Sequence, residues 1–143
     1  MQVFIVGSPL ETAMALDPKR LRKQIIECGQ ILDALNGAKA WSNHPCVLQY
    51  QDYDRWLECY KKCLEAYIKG DVLEAKIQSQ YATDWYKPHW HHIGYYTQMK
   101  RRLYTKDPEH YKQWAHLGKS NENWYWSQEQ EEWRKYVNGK RIE

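Results

Sequence analysis

Apolar positions recur at helical spacing over most of the chain. Leu21, Ile25, Cys28, Leu32 and Leu35 follow one another at steps of three and four, which places them on one face of a helix. Asp17-Pro18 opens that helix, because the aspartate can cap free N–H groups and proline lacks the donor that would go unpaired there. Asn36-Gly37 supplies the stop. A second stripe over residues 52–70 consists of Tyr53, Trp56, Leu57, Tyr60, Cys63, Leu64 and Tyr67. Asp71 starts a shorter helix with Leu73, Ile77 and Tyr81 as its apolar face. Residues 90–104 read as helical, and Asp107-Pro108 opens another short helix. Ser127-x-x-Gln130 has the form of a capping box for a last helix ending near Tyr136. Only the first few residues look strand-like. The pattern predicts a compact, mostly helical single domain over residues 1–143, with no repeat and no long linker.

Composition changes the picture at one point. Eight Trp and twelve Tyr stand against one Phe. Such rings carry a polar handle on a flat apolar body, which suits surfaces that stack on ligands and equally a core built without Phe. No apolar run approaches the roughly 20 residues of a membrane span. Residues 1–7 lack the basic start of an export signal, so a soluble cytoplasmic protein is expected. Cys28, Cys46, Cys59 and Cys63 form no Cys-x-x-Cys pair and are expected to be reduced. The run Pro88-His89-Trp90-His91-His92 invites a metal, but three clustered histidines rarely meet at one ion without a carboxylate or thiolate. Neither a metal site nor a cofactor is expected.

Charge is informative by position. There are 21 Lys and Arg against 18 Asp and Glu, a net charge of +3, so affinity for a polyanion would have to come from clustering. Lys19, Arg20, Arg22 and Lys23 occupy the opening turns of the first long helix, where cations oppose the helix dipole at a cost of a few tenths of a kcal/mol each. At about 100° per residue, Arg20, Lys23 and Glu27 share one stripe, away from the apolar face. Two cations and a carboxylate could grip phosphates and set an acid/base group beside them. The plainer reading is a solvated face with Lys23 and Glu27 as an i,i+4 pair worth about 0.3–0.5 kcal/mol. Lys100, Arg101, Arg102 and Lys106 form a second cluster interleaved with Tyr95, Tyr96 and Tyr104. A third is Arg134-Lys135 with Lys140-Arg141. Basic residues among flat rings fit nucleic acid, since cations neutralise phosphates and rings stack on displaced bases. His44, in Ser42-Asn43-His44-Pro45, sits in a turn-forming context, either as a hydrogen-bonded loop histidine or as part of a site.

Several segments together carry a resemblance: Leu16-Asp17-Pro18-Lys19-Arg20-Leu21-Arg22-Lys23-Gln24, Gln30-Ile31-Leu32, Trp41-Ser42-Asn43-His44-Pro45 and Lys106-Asp107-Pro108-Glu109-His110-Tyr111. They resemble the pyrimidine-dimer DNA glycosylase/AP lyase family of the endonuclease V type, found in phages and some bacteria, and most of all its less-studied branch. The resemblance implies an all-α fold with a long N-terminal helix and an aromatic-rich C-terminal segment. It also implies a chemistry. The chain-start α-amine attacks the sugar C1′ of a damaged nucleotide, the base leaves, an imine joins protein to DNA, and β-elimination cuts the strand. By position from the helix start, the family's essential glutamate falls at Glu27, with Met1 supplying the amine.

The implied partner is damaged duplex DNA, bound by a monomer with no membrane involved. Its expected contacts are Gln2, Arg20, Arg22 and Lys23, then Asn43 and His44 at the pocket, Lys100, Arg101 and Arg102, and the aromatic Trp124, Tyr125 and Trp126. An α-amine titrates about 2.5 units below a lysine, so near neutral pH it is nucleophilic far more often. The chain departs from the family at three places, one of them the run Tyr96-Thr97-Gln98-Met99-Lys100-Arg101-Arg102, where the closer relatives are expected to carry a run containing His and Ser. Gln2 is too large for easy removal of Met1, so the Met1 amine is the expected nucleophile, and Ile26 stands where family enzymes carry an arginine. The alternatives are a DNA-binding protein on the same scaffold without chemistry, and a glycosylase for another modified base.

Overall fold

The strand-like opening residues join no sheet in the computed structural model, which describes residues 1–142. Val3, Phe4, Ile5 and Val6 are buried, so their backbone groups need partners, and side chains supply them. The Phe4 N–H donates to Gln24 Oε1 at 2.8 Å and the Val6 N–H to Thr12 Oγ1 at 3.0 Å. The Gln2 carbonyl accepts from Gln24 Nε2 at 2.7 Å, and the Phe4 carbonyl from the Tyr60 hydroxyl at 3.1 Å. A buried extended segment is thereby held without a neighbouring strand.

Among the described residues, six α-helices accompany it. α1 (Pro9–Ala15) begins at a Ser8/Glu11 capping box that the periodicity did not bring out. α2 (Pro18–Leu35) runs as expected from its Asp17 cap to Gly37, whose φ of 106° needs a glycine. α3 (Pro45–Gln49) follows His44, which caps it by accepting the Cys46 N–H at Nδ1. α4 (Asp54–Ile68) packs against α1, α2 and the following helix α5 (Val72–Tyr81), with Trp56, Leu57, Tyr60, Cys63 and Leu64 buried. α6 (Ile93–Lys106) starts later than expected, with Trp90 buried in the turn before it. The helix expected at Asp107-Pro108 is a turn, in which Asp107 accepts the His110 N–H, followed by a short 3-10 helix (Lys112–Leu117). The Tyr and Trp residues divide as the sequence left open: Tyr50, Trp56, Tyr60, Trp90, Tyr95 and Tyr111 are core, while Trp41, Tyr81 and Trp85 are exposed. All four cysteines are free.

Two further expectations are corrected. α5 (Val72–Tyr81) does not bury its Leu73, Ile77 and Tyr81 stripe, which is exposed by 70%, 38% and 49%. It turns Ala75 and Ser79 inward instead. Small side chains let it lie close to its neighbours, and the Ser79 hydroxyl accepts the Leu10 N–H at 3.0 Å.

The second correction concerns fold class, which is mixed α and β, not all-α. The C-terminal segment forms an antiparallel three-stranded sheet of β1 (Asn123–Ser127), β2 (Glu132–Val137) and β3 (Lys140–Ile142), in the order β1-β2-β3. Ser127 does accept the Gln130 N–H, at 3.2 Å, but that bond closes a hairpin turn instead of opening a helix. The β2–β3 turn is Asn138-Gly139, both at positive φ (52° and 78°), the two-residue arrangement that suits the twist of paired strands. Trp126 pairs with Trp133 across the ladder. On that face Trp133 stacks on Tyr95 and meets Trp90 edge-on, which sets the sheet against the start of α6.

Candidate active site

α2 presents one polar face to a cleft of about 190 Å³. Asp17 fixes where that face begins. It accepts the Arg20 N–H, pairs with the Arg20 guanidinium at 3.2 Å, and takes a short hydrogen bond from the buried Tyr111 hydroxyl. Burial pushes its carboxyl upward, and the bonds from Tyr111 and Arg20 together outweigh that and hold it below the usual aspartate range. One turn further on, Lys23 reaches Glu27 at 3.8 Å. The two are unlike in exposure: the Lys23 side chain is 69% exposed and that of Glu27 13%. Glu27 is therefore the cleft's inward carboxylate, and Lys23 its exposed cation. Arg102 and Lys106 of α6 close the opposite wall. Partial burial, and then the charges of Arg102, Arg20 and Lys23, hold the Lys106 amine below the usual lysine range.

The chain start lies on the floor of this cleft. The Gln2 N–H donates to Glu27 Oε2 at 3.2 Å, and the Tyr125 hydroxyl donates to the Met1 carbonyl at 2.9 Å. Among the described residues, no carboxylate lies within 4.0 Å of the Met1 ammonium itself. Its electrostatic neighbours are His44 and Cys46. Burial and then the ammonium lower the basicity of His44. Burial pushes the Cys46 thiol up to about 12, the ammonium opposing only in part, so Cys46 is no nucleophile near neutral pH. His44 Nδ1 accepts a backbone N–H, so the neutral ring carries its proton on Nε2.

The structure therefore gathers Met1, Gln2, Arg20, Lys23, Glu27 and Arg102 around one cleft, sets His44 and Tyr125 beside Met1, and disperses the remaining predicted residues. Arg22 is exposed and does not line the cleft, because two residues along a helix turn a side chain away from its starting face. Lys100 lies over the Trp114 ring, and Arg101 is bonded to the Lys119 carbonyl at 2.8 Å; both serve packing. Arg102 also donates to the Ser120 carbonyl at 3.0 Å. Asn43 lines a separate pocket of about 240 Å³ between α3 and the hairpin, together with Tyr125, Trp126, Arg134 and Tyr136. Strand alternation splits the aromatic triplet. Tyr125 points at the chain start, whereas Trp124 and Trp126 pack on Trp133 from the other face. The three neighbouring histidines also part company: His89 meets Trp126, His91 is buried on Tyr50, and His92 caps α6.

Gln24 and Asn123 complete the cleft and had not been singled out. Gln24 carried a usable signal, a polar side chain three residues before Glu27 on the same stripe. Asn123 carried none, because only the hairpin brings it there.

A family model described as pyrimidine dimer DNA glycosylase matches residues 1–67. Over those residues the chain is similar to that family. Neither a curated protein nor a solved structure gives a significant match. The matched stretch holds Met1, Gln2, Arg20, Lys23, Gln24, Glu27 and His44, while Tyr125 and the Arg102, Lys106 and Asn123 side of the cleft lie beyond it. A pyrimidine dimer DNA glycosylase acts on DNA, and the cleft has what such a ligand requires: cations at its rim and one shielded carboxylate beside the chain start.

Proposed function

We propose that the protein is a DNA glycosylase with AP lyase activity on damaged duplex DNA, pyrimidine dimers foremost, working through an imine at the chain-start amine. The observation that carries this reading is the Gln2 N–H held on Glu27 within a cationic cleft, which tethers the start of the chain to the one inward carboxylate there. In the reaction, the amine lone pair forms a bond to C1′ and the glycosidic bond breaks, the base leaving with its electrons. The sugar ring opens as the amine loses a proton, giving an iminium. Loss of a C2′ proton to a base then expels the 3′ phosphate. Glu27 is placed to stabilise the developing positive charge and to take that proton. Arg20, Lys23, Arg102 and Lys106 would hold the flanking phosphates.

Borohydride added to enzyme and abasic or dimer-containing duplex should give a covalent adduct. Glu27→Gln should lose strand cleavage by at least about a hundredfold, on the scale of a lost general acid/base group, while keeping its affinity for DNA. No adduct at high enzyme concentration would count decisively against the reading. A second reading, a DNA-binding protein that has lost the chemistry, is favoured by one observation: the absence of a carboxylate within 4.0 Å of the Met1 ammonium among the described residues. It predicts salt-sensitive binding with neither adduct nor nick.

A further inference from the structure

From Gln2 onward the chain start is tied down by α2, through Glu27 on the Gln2 N–H and Gln24 on the Gln2 carbonyl. One peptide unit further out, those ties end. Met1 is half-buried against the core, and the bond to its carbonyl comes from Tyr125, on a hairpin outside the family-matched residues. Tyr125 is itself fixed. Its ring is 6% exposed and meets His44 and Tyr136 edge-on, at 5.7 and 5.5 Å. The hairpin around it is fastened to α3. The Trp126 N–H donates to Gln49 Oε1 at 2.9 Å, and Gln128 Nε2 donates to the carbonyls of Gln49 and Gln51 at 2.8 and 2.6 Å. Gln98 fastens the approach to β1 from α6, through Ser120 and the Glu122 carbonyl.

We propose that Tyr125 is a positioning residue for an untrimmed chain start: its hydroxyl, by holding the Met1 carbonyl, sets where the Met1 amine emerges between Glu27 and His44. The bond exists only while Met1 is present. Removing Met1 would leave the Tyr125 hydroxyl without that acceptor and would put the new terminus directly on Glu27. Burial raises the Tyr125 phenol above its ordinary range, so it remains a donor across any working pH. The site differs in this from one organised by α2 alone, because a C-terminal element holds the first peptide.

This inference rests on the imine reading, and its test has two arms that fail separately. In the free protein, Met1 is reductively methylated with ¹³C-formaldehyde. Its dimethylamine resonance should lie away from the random-coil position in the wild type and move towards it in Tyr125→Phe. A wild-type resonance already at the random-coil position, or one unmoved by the substitution, overturns the proposal whether or not the protein cleaves DNA. In the second arm, single-turnover borohydride trapping on an abasic duplex should slow roughly two- to tenfold in Tyr125→Phe, the range of one neutral hydrogen bond. The Kd for that duplex should stay unchanged, the Tm should fall by no more than the few degrees one hydrogen bond is worth, and peptide mapping should place the adduct on the Met1 nitrogen. An adduct on Gln2, a trapping rate equal to wild type, or a slowing matched by a loss in Kd overturns it. A wild type with an ordered Met1 resonance but no adduct would sink the imine reading and leave the seat of Met1 standing.

Discussion

His91 shows how much a single buried side chain can decide. It is 2% exposed, its Nε2 lies 3.0 Å from the Tyr50 hydroxyl, and its Nδ1 has no partner. Burial, then the charges of Lys87 and His92, push its basicity well below the ordinary histidine range. The folded protein therefore keeps the ring neutral at a pH where the unfolded chain, titrating near 6.5, takes up a proton. Between those two values the unfolded state binds more protons, so stability must fall as pH drops below about 6.5. Tm measured from pH 7.5 to 5 should fall in the wild type and fall less in His91→Gln, which keeps a bond to Tyr50 but not the titration. Equal slopes would refute the assignment. Nothing in Pro88-His89-Trp90-His91-His92 distinguishes this histidine from its neighbours, since burial is a property of the packed chain. Gln24 teaches the same lesson. Its place on the Glu27 stripe was readable, but its bonds to Phe4, Gln2 and Tyr60 were not, because those partners come from a segment and a helix that only folding brings to it.

At the scale of elements, α2 was the most legible, because cap, apolar period and stop all agree there. Its start also sets the site, for Asp17 fixes Arg20 and with it the phase of the Lys23–Glu27 stripe. Asp17→Ala should cost about 1–2 kcal/mol, through the lost cap and a Tyr111 hydroxyl left without its acceptor. The folded carboxyl is held below its unfolded value, so its contribution is whole above about pH 4 and fades as pH falls through the folded value. The gap in Tm between wild type and Asp17→Ala should accordingly be full at pH 6 and narrow below about pH 4. The hairpin was the element misread. Ser127-x-x-Gln130 satisfies the local rule for a cap, and its bond does form, yet the same bond serves a turn. The Asn138-Gly139 pair and the alternating Trp and Tyr positions on either side of the turns were the competing signal. α5 was misread for a different reason. Its apolar stripe has the right period, but the space beside α4 takes only Ala75 and Ser79.

For the molecule as a whole, a net charge of +3 understates what DNA would meet, because Lys19, Arg20, Lys23, Arg102 and Lys106 converge on one cleft while Arg134 and Arg141 are tied to Glu132. Counterion release makes this measurable. Arg20→Gln and Lys23→Gln should each flatten the slope of log Kd against log salt by about 0.9 on a fixed duplex, since each would give up one phosphate. Arg22→Gln, on the same helix but outside the cleft, should leave the slope nearly unchanged. Three equal slopes would mean that DNA does not lie along this face.

The order of residues alone determined α2, the stripe that carries Glu27 and the likeness to a DNA glycosylase family, because caps and helical periods are local and act within a few residues. Only the tertiary structure decided that the C-terminal aromatics form a sheet, that Arg22, Lys100 and Arg101 stand apart from the cleft, and that Tyr125 reaches Met1 across almost the full length of the chain. Those outcomes depend on which surfaces compete for the same buried volume, and no short window of sequence contains both competitors.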